Sequence, residues 1–153
     1  MTAGGDYSRD RLRRAYTEAW SKARTNSPLT PLESMIADVI ALHPEYHAAV
    51  RDVDAALALD ADVGGRENPF LHMGLHIAVR EQLSIDRPPG VREIHRRAMA
   101  LVGDVHAAEH LLMEALGRTL WEARRRGGVP DELQYLADAR AALMRRGRQR
   151  FGE

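Results

Sequence analysis

Cysteine is absent from this sequence of 153 residues. That removes disulfides, thiolate catalysis and Cys-type zinc or iron–sulfur sites together. Any metal must therefore be held by imidazole and carboxylate. Net charge is missing too: 22 Lys and Arg balance 22 Asp and Glu, a formal +0. Nothing global draws nucleic acid or an anionic membrane to such a chain. Lysine occurs once, at Lys22, and arginine supplies the other cations. This reads as a codon bias with no consequence for the fold. No apolar run is long enough to span a bilayer. The opening residues, MTAGGDYSRD, lack the apolar core of a signal peptide. The expectation is a cytoplasmic protein with no membrane or nucleic-acid partner. A small molecule or a protein is the expected partner, with a homodimer left open.

No stretch alternates in the manner of a strand, and no fixed-period repeat occurs. What the chain does have is 44% hydrophobic and 29% charged residues. That composition suits one globular domain over residues 1–153, with 1–6 and 146–153 expected to be flexible. Leu12, Ala15, Tyr16, Ala19, Trp20 and Ala23 recur at helical spacing, with Arg11, Arg13, Arg14, Glu18 and Lys22 mostly outside. Thr30-Pro31-Leu32-Glu33 is a capping box with proline at the first helical position. Its helix carries Leu32, Met35, Ile36, Val39 and Ile40 toward His43, where Pro44 ends or kinks it. Residues 50–66 hold a weak helical piece and a Gly-Gly loop. Asn68-Pro69 opens a third helix, apolar nearly all round, in which Gly74 is expected to allow a close helix approach. Arg87-Pro88-Pro89-Gly90 is a connector. A shorter helix then points Val91, Ile94, Ala98 and Leu101 inward. The last helix follows Pro130 and carries Leu133, Leu136, Ala137 and Met144. The predicted fold is all-α, a bundle of five or six helices.

The most informative stretch is Asp104–Arg126. Asp104 is a good N-cap, and Gly127 and Gly128 stop the helix. At 100° per residue one arc collects Val105, Leu112, Met113, Leu116, Gly117, Leu120 and Trp121. His106, Glu109 and His110 fall inside that arc. Buried polar groups need partners. The candidates are one another, further side chains, or a metal ion.

Six of the seven histidines form i, i+4 pairs: His43 and His47, His72 and His76, His106 and His110. Random scattering would give roughly 0.3 such pairs. Residues four apart share a helix face, within reach of one ion, and bundles build metal sites from such pairs on facing helices. The expected ligands, or their supporting shell, are His43, His47, His72, His76, His106, His110 and Glu109. Imidazole and carboxylate without sulfur suit iron, zinc, manganese or nickel. Two ions, or one ion backed by further histidines, fit the count. Glu45, Glu81 and Glu114 lie near the pairs in sequence. His95 has no i, i+4 partner, and its flanking arginines suggest the surface.

Other readings stand beside this one. The histidines can instead form a metal-free polar network satisfied by Glu109, Tyr46 or backbone carbonyls. The protein would then be a non-enzymatic interaction or regulatory module. His106-x-x-Glu109-His110 also matches the inverted zincin motif of metal-dependent hydrolases. The arginine runs at 124–126 and 145–150 read as solvated helix ends favoured by the dipole.

The runs LTPLE, LHPEYH, NPFLHMGLHIAVREQLSIDRPPG and HAAEHLLMEALGRTLWEA resemble a bacterial family known as domain of unknown function 1841. The resemblance covers nearly the whole chain. It implies a bacterial protein and no particular activity. The histidine spacing is also similar to that of hemerythrin-like di-iron bundles. His72-x3-His76 matches their pattern, as do His76-x4-Glu81 or His110-x3-Glu114. The His43, His47 pair departs from it. That likeness implies a two-metal, iron-type site for oxygen or peroxide chemistry or sensing.

Overall fold

Helix punctuation is written into the sequence at several points, and the chain obeys it. The computed structural model describes residues 3–58 and 68–151. Among the described residues there is no strand. The order is α1 (Ala3–Arg24), α2 (Pro31–Ala41), a 3-10 turn (Pro44–Tyr46), α3 (Val53–Ala58), α4 (Pro69–Ile85), α5 (Val91–Val102), α6 (Val105–Arg126) and α7 (Glu132–Phe151). The protein is all-α, as expected. The Gly-Gly loop at Gly64 and Gly65 lies outside the described residues. Helix α7 runs through Phe151, across a segment expected to be loose. Packing divides the chain into two compact units, Met1–Ile77 and Ala78–Glu153, with the division inside α4.

In the first unit, α1 packs on α2 and α3. The capping box forms in full: Glu33 N–H donates to Thr30 Oγ1 at 3.1 Å, and Thr30 N–H to Glu33 Oε1 at 2.9 Å. Lys22 Nζ reaches Glu33 at 2.8 Å and so ties α1 to α2. Asn68 caps α4 by accepting from Phe70 N–H at 2.8 Å. The core joins Tyr16, Ala19, Ile36, Val39, Ile40, Val50, Phe70, Met73 and Ile77. One expectation fails on α1. Leu12 is half exposed, whereas Arg13 is buried. Arg13 Nη1 donates to the Ala56 carbonyl at 2.9 Å, and the guanidinium lies 4.8 Å over the Phe70 ring. Hydrogen bonding and the aromatic face make that burial tolerable.

In the second unit, α5, α6 and α7 pack pairwise. Asp104 caps α6 by accepting from Ala107 N–H at 2.9 Å. Gly127 closes it in the left-handed conformation, φ 72°. Val91, Ile94 and Ala98 of α5 are buried, as expected. On α7 the inward set is Tyr135, Leu136, Ala139 and Leu143, so Leu133, Ala137 and Met144 lie outside, against expectation. Tyr135 Oη donates to Gln82 Oε1 at 2.6 Å, and burial pushes its hydroxyl above the ordinary tyrosine range.

The long helix α6 also departs from its expected phase. Leu112, Met113, Leu116 and Glu109 are buried, but Val105, Leu120 and Trp121 are exposed. Ala108, Leu111, Ala115, Thr119 and Ala123 are buried in their place. The buried arc is rotated by about one residue position relative to the arc of large apolar side chains. Small residues face inward here, where a neighbouring helix comes close.

Candidate metal centre

Pro44 sets the geometry of the first histidines. It ends α2 at Ala41 and starts the 3-10 turn, for which His43 is the N-cap. His43 and His47 are therefore not a helical pair, and their rings go to different places. His43 is buried, and its Nδ1 donates to the Val39 carbonyl at 2.7 Å. That tautomer puts the lone pair on Nε2. Its ring stacks on Tyr46 at 5.3 Å between centroids. His47 Nε2 instead donates to the Ile40 carbonyl at 2.9 Å, and its ring lies 4.6 Å from that of Trp20. His47 thus stands apart from the pair it was expected to form.

On α4 the i, i+4 relation holds. His72 and His76 are both buried, and their Nε2 atoms are 3.2 Å apart. The His43 ring lies 5.0 Å from that of His72 and 4.7 Å from that of His76. Three imidazoles from two segments of the first unit thus meet in its interior, with Tyr46 against His43 and His72. A buried histidine cluster of this kind can hold a metal ion, because neutral imidazole is a ligand wherever its lone pair faces inward.

In the second unit, His106 and His110 lie on α6 with ring centroids 4.3 Å apart. Both are half-buried, at the margin of the rotated arc. Glu109, between them in sequence, is fully inside. It was expected as a carboxylate ligand or base. Arg80 engages it, Nε to Oε1 at 3.0 Å. Arg80 was not singled out in the sequence, yet the signal was there. It follows His76 by four and His72 by eight, so it continues the same face of α4. His95 also corrects an expectation. It is half-buried on α5, and its Nε2 has no hydrogen-bond partner among the described residues. Burial pushes its imidazole below the ordinary value, partly offset by the negative charge of Glu109. Glu45, Glu81 and Glu114 are exposed.

Among the described residues the first unit holds three buried imidazoles and the second a half-buried pair, and the buried carboxylate of Glu109 is paired with a guanidinium. Imidazole donors of this kind suit divalent zinc, iron or nickel. A carboxylate-bridged pair of ions would need acids that these clusters do not supply.

A family model described as Domain of unknown function (DUF1841) matches residues 8–141. No curated protein and no solved structure matches the chain.

Proposed function

The chain belongs to the family described as domain of unknown function DUF1841, and from its site we propose a metal-binding helical protein in which His43, His72 and His76 of the first unit hold one ion, while the His106, His110 pair of α6 offers two nitrogens to a second. The convergence of the His43, His72 and His76 rings in the first unit, with centroids 5.0, 4.7 and 4.9 Å apart, carries this reading. Three imidazoles would leave a position open on a zinc ion, and more on a metal that prefers six ligands, where dioxygen, peroxide or water could bind. Glu109, engaged by Arg80, favours this reading over a hydrolase that uses His106-x-x-Glu109-His110 with the glutamate as base.

The test is elemental analysis of protein purified without a histidine tag, before and after treatment with chelator and refilling. At least one ion per chain is expected, lost in His76→Ala, and a second where the His106, His110 pair is filled, lost in His106→Ala. Protein that is metal-free, stays folded with chelator and takes up no iron, zinc or manganese would overturn the reading. The histidines would then form a purely structural network in an interaction or regulatory module.

A further inference from the structure

A cavity of about 430 Å³ opens in the second unit between α5, α6 and α7. Its polar lining is His110 and Glu114 of α6 with Arg145, Arg146 and Gln149 of α7, over an apolar floor that includes Leu111. The volume falls within the range of small-molecule sites, about 300–1,000 Å³. Two features mark it as more than a groove between helices. Neither Arg145 nor Arg146 makes an ion pair or a hydrogen bond among the described residues. The α7 segment from Arg140 to Arg150 also carries five arginines and no acid. Two of these arginines, Arg145 and Arg146, line one wall of the cavity. Guanidinium forks match the geometry of a carboxylate. Across the cavity, the exposed carboxylate of Glu114 can accept from a hydroxyl.

We propose that this cavity binds a small organic hydroxy acid. Arg145 and Arg146 receive its carboxylate, Glu114 accepts from its hydroxyl, and its inner end meets His110. This rests on the metal reading only for what the ligand does at His110, where an ion held by His106 and His110 would be its neighbour. Binding itself needs only the arginines.

The test begins with chelator-treated protein titrated by calorimetry with malate, succinate and inorganic phosphate. Malate is expected to bind more tightly than succinate or phosphate. The Arg145→Gln/Arg146→Gln variant is expected to bind malate about tenfold more weakly or worse, because two charge-assisted bonds are lost, with an unchanged circular dichroism melt. No malate binding by the parent protein, equal binding by the variant, or phosphate binding as tight as malate would overturn the proposal. A second titration uses protein reloaded with cobalt. Tighter malate binding there, abolished by His110→Ala, would support the ligand's placement beside the ion. Protein that takes up no cobalt yet still binds malate through the arginines would sink the metal reading and leave the cavity assignment standing.

Discussion

Arg80 Nε and Glu109 Oε1 are 3.0 Å apart, with the carboxylate almost wholly buried and the guanidinium largely so. A buried carboxylate is costly unless it is paired, so each partner makes the other tolerable. Glu109→Gln keeps the shape and removes the charge. It should cost about 1–3 kcal/mol of stability, as expected for a disturbed buried hydrogen bond. Arg80→Met should cost a similar amount, and the double variant less than the two added together, because the partners are coupled. Metal content should stay at the parental level in Glu109→Gln. Denaturant melts of the three variants check this. Glu122→Gln is the control, since its exposed partner is Arg118 and surface changes stay within about 0.5 kcal/mol. Loss of the ion in Glu109→Gln would return the carboxylate to the ligand set.

His47 should separate from the other histidines in mutagenesis. It donates to the Ile40 carbonyl and lies against Trp20. His47→Ala should therefore lower stability by about 1–2 kcal/mol through the lost hydrogen bond and ring contact. The ion should remain, whereas His76→Ala should remove it. Elemental analysis beside thermal melts checks the pair, and metal loss in His47→Ala would show that its ring joins the centre.

These residues also show what the sequence could disclose. Caps at Thr30, Asn68 and Asp104 were legible because a cap is local chemistry, and all three form. The His72, His76 pair was legible because i, i+4 spacing on an uninterrupted helix fixes the face. His43 and His47 have the same spacing, but Pro44 lies between them and breaks the helix on which the spacing depends. The inward face of α6 was misjudged by about one residue position, because its alanines were not counted, and on α1 Leu12 and Arg13 exchange places. On α1 the arginine at position 13 goes inside, satisfied by Ala56 and Phe70. On α6 alanines face inward where close packing favours small side chains. Arg80 carries no ligand signal in the sequence, because a guanidinium does not bind metal. The partner of a buried acid is a tertiary fact that no single helix reveals.

Gly74 was expected to permit a close helix approach, and the structure gives it room instead. A Cβ built there would have Tyr16 Oη as its nearest neighbour, at 3.7 Å, an ordinary contact. Glycine inside a helix is less stable than alanine by about 0.5–1 kcal/mol, through the greater freedom of the unfolded chain. Gly74→Ala should therefore stabilise the protein by about that amount and raise the melting temperature, with metal content unchanged. A destabilised variant would mean that Tyr16 cannot yield even slightly.

The pH dependence of stability should trace in part to His95. Burial holds its imidazole below the ordinary value in the folded chain. In the unfolded chain it titrates near about pH 6.5. Well above that pH both states are neutral, and His95 contributes no pH dependence. As pH falls through about 6.5, the unfolded state takes up a proton that the folded state resists, so stability declines. The decline ends once pH passes below the lowered folded value, where both states are charged. His95→Gln keeps a polar side chain and removes this titration. Its melting temperature should fall less steeply between pH 7 and pH 5 than that of the parent chain, while Glu109 and Arg80 remain in both. Melts should be run with chelator present, so that protonation of metal ligands does not enter the difference. Parallel curves for the two proteins would mean that His95 takes up its proton in the folded state as readily as in water, and its half-buried position on α5 would then have no consequence in acid.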